Sequence, residues 1–275
     1  MQLIQTTLRV GAQKPFTVLH VSDTHLTLVG EHERPSRVQL GIDRRRMCPN
    51  ATQNLDDIRA HVKQTGDLLI HTGDLIDFIT PENLSAAGAL AKDTDMLFVA
   101  GNHEVHTCPR DVFSEEDFTC DLARREQSLD AVQAYFPKDI RYFEKEVNGV
   151  KLIGFNTADY QISRENFDRL KQAAEQKKPI VLFTHIPLYS EELFRIAKNA
   201  LIAIPDEIVN TFSPFRTFEQ RADETTRQCY DFIQGCPYVK AIVSGHLHLP
   251  FESSDEGAKK QLVTSLDTLH EITIE

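Results

Sequence analysis

The 275-residue chain has no tryptophan, and none of its apolar runs approaches the roughly 20 residues that a bilayer-spanning helix needs. Ala200–Ile204 is typical of the longest. Residues Met1 to Val10 lack a basic start followed by an apolar core, so no secretory leader is expected. Cys48, Cys108, Cys120, Cys229 and Cys236 form no Cys-x-x-Cys pair. An odd count without signs of secretion reads as reduced thiols, and it argues against zinc held by cysteine. Positive charge is also short: 30 Lys and Arg against 41 Asp and Glu give a formal charge of −11. No global field is therefore available to draw in long nucleic acid or an anionic membrane. A cytoplasmic enzyme in a single domain, with no membrane partner, is the expectation.

The patterning centres on His71-Thr72-Gly73-Asp74. Asp67–His71 reads as a buried strand, and Gly73 and Asp74 stand where it ends. In open α/β sheets reactive groups gather beyond the carboxyl ends of strands. The unit recurs along the chain. Phe16–Val21 precedes Asp23-Thr24-His25, and Met96–Ala100 precedes Gly101-Asn102-His103-Glu104. Pro179–Thr184 precedes His185, and Val239–Val243 precedes Gly245-His246-Leu247-His248. Helices are expected over 52–65, from Thr80-Pro81 to about Lys92, and over 122–136, 163–176 and 219–233. Asn148-Gly149 marks a hairpin between Arg141–Val147 and Val150–Phe155, so the sheets should be mixed. Residues 2–10, 261–265 and 271–274 read as further strands. The segments 29–50, 105–120 and 188–218 read as irregular insertions. In the first, Arg34, Arg37 and Arg44–Arg46 form a solvated loop or clamp an anionic substrate.

One histidine at a strand end is usually structural, and His20 and His71, inside their strands, are read so. The set Asp23, His25, Asp74, Asn102, His103, His185, His246 and His248 is harder to explain by packing, because buried ionisable groups are costly unless paired or metal-bound. Imidazole and carboxylate without thiolate suit Mn, Fe, Zn or Ni. The set exceeds what one ion takes, so two divalent or trivalent ions are expected, with Asp74 as the candidate bridge. Asp77 is expected to support a ligand by hydrogen bond.

In that order and spacing the five blocks, from Asp23 to His248, resemble the calcineurin-like metallophosphoesterases. The resemblance implies a four-layer αββα sandwich of two mixed sheets, with a dinuclear site at the strand ends. It implies that Asp23, His25 and His248 bind one metal, that Asn102, His185 and His246 bind the other, and that Asp74 bridges. His103 would stay outside the metal shell, protonating the leaving alkoxide or stabilising charge on the phosphoryl group, and Asn102 would share in catalysis. Glu104 would orient His103 or lie exposed. Purple acid phosphatases of this superfamily carry a tyrosine three residues after the bridging aspartate; Asp77 occupies that position here, which excludes that subclass. The implied reaction is hydrolysis of a small phosphate ester by a metal-bridging hydroxide. A small-molecule or nucleotide phosphodiesterase is the leading expectation and a phosphomonoesterase the alternative; a nuclease or a non-catalytic scaffold of the same fold ranks below both.

Overall fold

The computed structural model describes residues 1–105, 122–158, 161–201, 223–253 and 259–275. Its strands, in chain order, are β1 (Gln2–Leu8), β2 (Phe16–Val21), β3 (Leu68–His71), β4 (Leu97–Phe98), β5 (Tyr142–Val147), β6 (Val150–Phe155), β7 (Ile180–Phe183), β8 (Val239–Ser244), β9 (Phe251–Glu252), β10 (Lys260–Val263) and β11 (Thr268–Ile274). They form a five-stranded sheet, β1-β11-β2-β3-β4, and a six-stranded sheet, β5-β6-β7-β8-β10-β9. In the first sheet β2, β3 and β4 are parallel and β11 runs against β2. In the second, β6, β7, β8 and β10 are parallel, with β5 and β9 antiparallel at the edges. Both sheets are mixed, the second through the hairpin of β5 and β6 and the first through β11 against β2. Asn148 (φ 46°) and Gly149 (φ 80°) both take the left-handed backbone that a two-residue hairpin turn needs.

Side-chain alternation sorts the strands into layers. Val18, Ile70 and Ile272 of the first sheet meet Leu152, Val181, Phe183 and Val243 of the second in one buried cluster, so the two sheets face each other. Leu19, Val21 and Leu69 point the other way. They pack under Leu55 and Ile58 of helix α2 (Ala51–Thr65) and Leu84, Ala87 and Leu90 of α3 (Pro81–Asp93). On the opposite side Ile153, Leu182 and Ile242 meet Phe167 and Leu170 of the helix Arg164–Glu175 and Cys229 and Ile233 of the helix Glu224–Gly235. This is the four-layer αββα arrangement expected above. Two helix starts carry the capping anticipated. Thr80 Oγ1 accepts from Asn83 N at 3.1 Å and Ser163 Oγ from Asn166 N at 3.1 Å.

Some boundaries differ. The segment 29–50 is not a loop throughout, since Pro35–Met47 is a helix, α1. Its buried positions are Gly41 and Arg44, so the inward face carries no apolar stripe for a periodicity search to find. The last strand begins at Thr268, not at 271, and β4 shrinks to two residues. Of the segment 188–218, Glu191–Leu201 is helical. The rest of it from residue 202, nearly all of 105–120, and residues 219–222 of the expected 219–233 helix lie outside the described residues. Among the described residues no helix is long and apolar enough to cross a membrane.

The outer layer gives the first prediction. Leu182 is wholly buried between β7 and its covering helices. Leu182→Ala should lower the unfolding free energy by about 2–5 kcal/mol, read from the urea midpoint at constant slope.

Candidate metal centre

The loops that follow β2 and β3 run side by side as a continuation of the sheet. Asp23 N donates to Gly73 O (3.0 Å), His25 N to Asp74 O (2.9 Å) and Leu26 N to Leu75 O (2.9 Å). Their closeness to the loop after β4 leaves no room for side chains. A Cβ on Gly73 would sit 2.4 Å from Gly101 N, and one on Gly101 would sit 2.2 Å from Asp74 Oδ1. Asp23, His25, Asp74, His246 and His248 all hold positive φ, between 52° and 70°. For residues with a Cβ this is a strained conformation, and such strain gathers where a surrounding frame fixes functional side chains.

Three overlapping groups result: Asp23, His25 and His248; His25, Asp74 and His103; and Asp74, His185 and His246. In the first, His25 Nε2 lies 3.0 Å from His248 Nε2, and Asp23 Oδ1 lies 3.4 Å from His248 Nε2 and 3.9 Å from His25 Nε2. In the third, His185 Nε2 lies 3.3 Å from Asp74 Oδ2, 3.2 Å from His246 Nδ1 and 3.0 Å from Asn102 Oδ1. Asp74 Oδ2 is also 3.8 Å from His25 Nε2, which places this one carboxylate between the two groups. Ligand atoms held about 2.0–2.1 Å from a shared ion would lie roughly 3.0–3.4 Å apart at octahedral or tetrahedral corners. All of the spacings but the two from His25 Nε2 to Asp23 and Asp74 fit such a cage, and the donor chemistry fits transition-metal dications.

The far side of three of the rings is tied down. His25 Nδ1 faces Asp77 Oδ1 (3.0 Å), His185 Nδ1 faces Thr72 O (2.7 Å) and His103 Nδ1 faces Asp77 O (2.7 Å). A hydrogen bond from each Nδ1–H turns the Nε2 of that ring toward the cluster. The support expected of Asp77 is therefore present, and Asp77 is itself gripped. Arg44 of α1 donates through Nε (2.7 Å) and Nη2 (2.5 Å) to its two oxygens. Of the arginines read as a substrate clamp, Arg44 is thus committed to Asp77, and Arg37 donates to Ile79 O at 3.1 Å. Arg34, Arg45 and Arg46 are exposed.

Glu104 corrects a second expectation. It is buried and does not hold His103. Its Oε2 accepts from Asp74 N (2.8 Å) and Gly101 N (2.7 Å), and its Oε1 accepts from Leu75 N (2.9 Å) and Ile76 N (3.1 Å). Glu104 therefore fixes the Asp74 loop, which in turn receives the His103 amide on Asp74 Oδ1 at 2.9 Å. Arg44 and Thr72 are the supporting residues that sequence reasoning missed. Neither carries a signal, because one lies on a helix without an apolar stripe and the other acts through its carbonyl.

The electrostatics follow burial and partners. Burial alone would raise Asp23 and Asp74, but His248 and His185 beside the first, and His185 and His103 beside the second, hold both below the usual carboxylate range. Burial works against a charged His185, yet Asp74 overrides it and pushes the ring up to about 9. The carboxylates thus favour positive charge at this point, whether as a proton or as a cation. His246 is pulled down to about 3, by burial and then by His185. His20 and His71 stand apart. Burial keeps both neutral, and they bond threonines: His20 to Thr72 and Thr264 (2.8 Å each) and His71 to Thr24 (3.0 Å).

A family model described as calcineurin-like phosphoesterase matches residues 16–250. No curated protein matches the chain. Among solved structures, a dimetal phosphatase from Danio rerio aligns with a TM-score of 0.53 at 11% identity, over 91% of this chain and 87% of that one. At that identity the likeness shows the shared fold. A phosphopantetheinyl hydrolase from Mycobacterium tuberculosis aligns at TM-score 0.45 and 17% identity, over 91% of this chain and 89% of that one. A putative 5′-nucleotidase from Staphylococcus aureus aligns at TM-score 0.45 and 12% identity, over 92% of this chain and 49% of that one. With the family match spanning all five blocks and the two facing mixed sheets carrying them, the chain belongs to the calcineurin-like phosphoesterases, hydrolases that act on phosphate esters.

Proposed function

We propose that this protein is a dinuclear phosphodiesterase acting on a nucleotide or another small diester. The observation that carries the dinuclear reading is the position of Asp74 Oδ2, 3.3 Å from His185 Nε2 of one outer group and 3.8 Å from His25 Nε2 of the other, with the middle group sharing His25 with the first and Asp74 with the third. On this reading Asp23, His25 and His248 hold one ion, and Asn102, His185 and His246 hold the other, with Asp74 common to both. When bound, the pair supplies Lewis acidity at the ester and lowers the pKa of water. His103 faces the same space. Its Nδ1 is engaged by Asp77 O, so a proton delivered to the leaving alkoxide comes from Nε2, 3.9 Å from Asp74 Oδ2. Burial lowers the His103 pKa, which makes its protonated form a stronger acid.

The diester preference is supported by the fate of Arg44. A monoester dianion is commonly met by a guanidinium fork, and this fork is spent on Asp77. The net charge of −11 supports a small substrate over long nucleic acid. The free thiols Cys48, Cys229 and Cys236 fit a reducing cytoplasm. Metal analysis paired with hydrolysis of bis-para-nitrophenyl phosphate and para-nitrophenyl phosphate tests the reading. About two ions per chain and faster diester cleavage are expected; faster monoester cleavage overturns the diester assignment.

Two variants probe the roles. His103→Ala should keep its metal content yet lose about 10²–10⁴ in kcat, most for poor leaving groups. A loss equal across leaving groups would reassign His103 to charge stabilisation. Asp77→Ala should weaken metal binding about 10–100-fold in an equilibrium titration, because His25 loses the partner that orients it. Arg44→Ala should act in the same direction; wild-type metal affinity in both variants would remove Asp77 from the account.

A further inference from the structure

A second constellation lies at the other end of β3, where Asp67 precedes the strand that Asp74 follows. His61 projects from α2 one turn before its end, and Gly66, at φ 73°, turns the chain so that Asp67 comes back beneath it. Glu271 of β11 completes the group from the sheet. It pairs in register with Leu19, whose side chain is in the cluster under the outer helices, so Glu271 faces α2 as well. His61 Nε2 lies 3.1 Å from Glu271 Oε1 and 3.7 Å from Asp67 Oδ2. All three ligand atoms fall within 4.8 Å of one another.

A simple ion pair would aim the imidazole N–H at a carboxylate oxygen. Here His61 Nε2 is buried and makes no hydrogen bond, although Glu271 Oε1 is only 3.1 Å away. The oxygen lies beside the ring nitrogen's axis, as a neighbouring ligand would. The two spacings bracket the roughly 3.4 Å edge of a tetrahedron about a zinc-sized ion. Glu271 is also braced. Gln5, directly across from it on β1, donates Nε2 to Oε2 at 2.5 Å, which leaves Oε1 turned toward His61. One imidazole, two carboxylates and a bracing amide are the parts of a metal site rather than of a solvated charge cluster.

We propose that His61, Asp67 and Glu271 bind a divalent cation of the zinc class (Zn²⁺, Co²⁺ or Ni²⁺), separate from the catalytic pair, and that the ion pins the end of α2 and the start of β3 to β11. The role is structural, since the site lies away from the loops that carry His103. The test uses the full chain, stripped with chelator and titrated with Zn²⁺ and with Co²⁺, as wild type, His61→Ala and Glu271→Gln. Each folded variant should bind one equivalent fewer than wild type, lose part of the visible Co²⁺ spectrum, and cleave bis-para-nitrophenyl phosphate at the wild-type rate. The Zn²⁺-induced rise in Tm should shrink by roughly 5 °C when Zn²⁺ stands about 100-fold above its Kd. Equal stoichiometry and equal spectra in wild type and Glu271→Gln would overturn the site. Because the readout is a difference between variants, it stands independently of how many ions the catalytic cluster takes.

Discussion

Three buried carboxylates on the adjacent loops after β2 and β3, Asp23, Asp74 and Asp77, set the terms for everything around them. Removing a carboxylate from water raises its pKa and disfavours its charge, and placing others nearby adds repulsion. Yet all three are held below the ordinary range, so their partners outweigh burial. The His246 amide and the His248 ring face Asp23, and the His103 amide and His185 face Asp74. Arg44 and His25 face Asp77. These partners come from segments as far apart as α1 and the loop after β8, so the compensation depends on the complete fold.

The same demand explains the backbone. Five of these residues occupy left-handed conformations that a side chain ordinarily avoids, and glycines at 73 and 101 allow two loops to approach within contact of backbone atoms. Strain of about 1–2 kcal/mol at each such residue needs a rigid frame to hold it. The facing sheets, with Val18, Ile70, Phe183 and Val243 interlocked between them, provide that frame. The reactive groups sit where the sheets end, on short loops pinned by neighbouring loops.

What could be read without coordinates follows from this division. Strand ends marked by glycine and an ionisable residue are visible as local patterns, and the apolar runs marked the strands from Val18 to Val243, while the four layers were implied by the resemblance to the calcineurin-like metallophosphoesterases. The supporting residues were not, because their roles are set by distant partners. Arg44 looks like any arginine on a polar segment until Asp77 is found against it, and α1 escapes notice because it turns Gly41 and Arg44 inward. Glu104 sits inside a visible motif, but nothing in its neighbours says that it reaches back to the amides of residues 74–76.

Glu104 and Asp77 show how partners decide the work a buried carboxylate does. Glu104 receives only backbone amides. Burial and the nearby Asp74 push it up to about 8, against the pull of the amides. It is suited to shaping a loop, a task set by geometry more than by charge. Asp77 has a guanidinium and an imidazole, and burial cannot keep it from remaining ionised. A fixed negative charge behind His25 makes that ring a better electron donor toward the cluster, which a tyrosine at the same position could not do from behind. Arg44 of α1 is thereby committed to Asp77 and not free for a substrate anion. On the proposed reading, anion binding would then fall to the cluster itself and selection among esters to the loops that surround it.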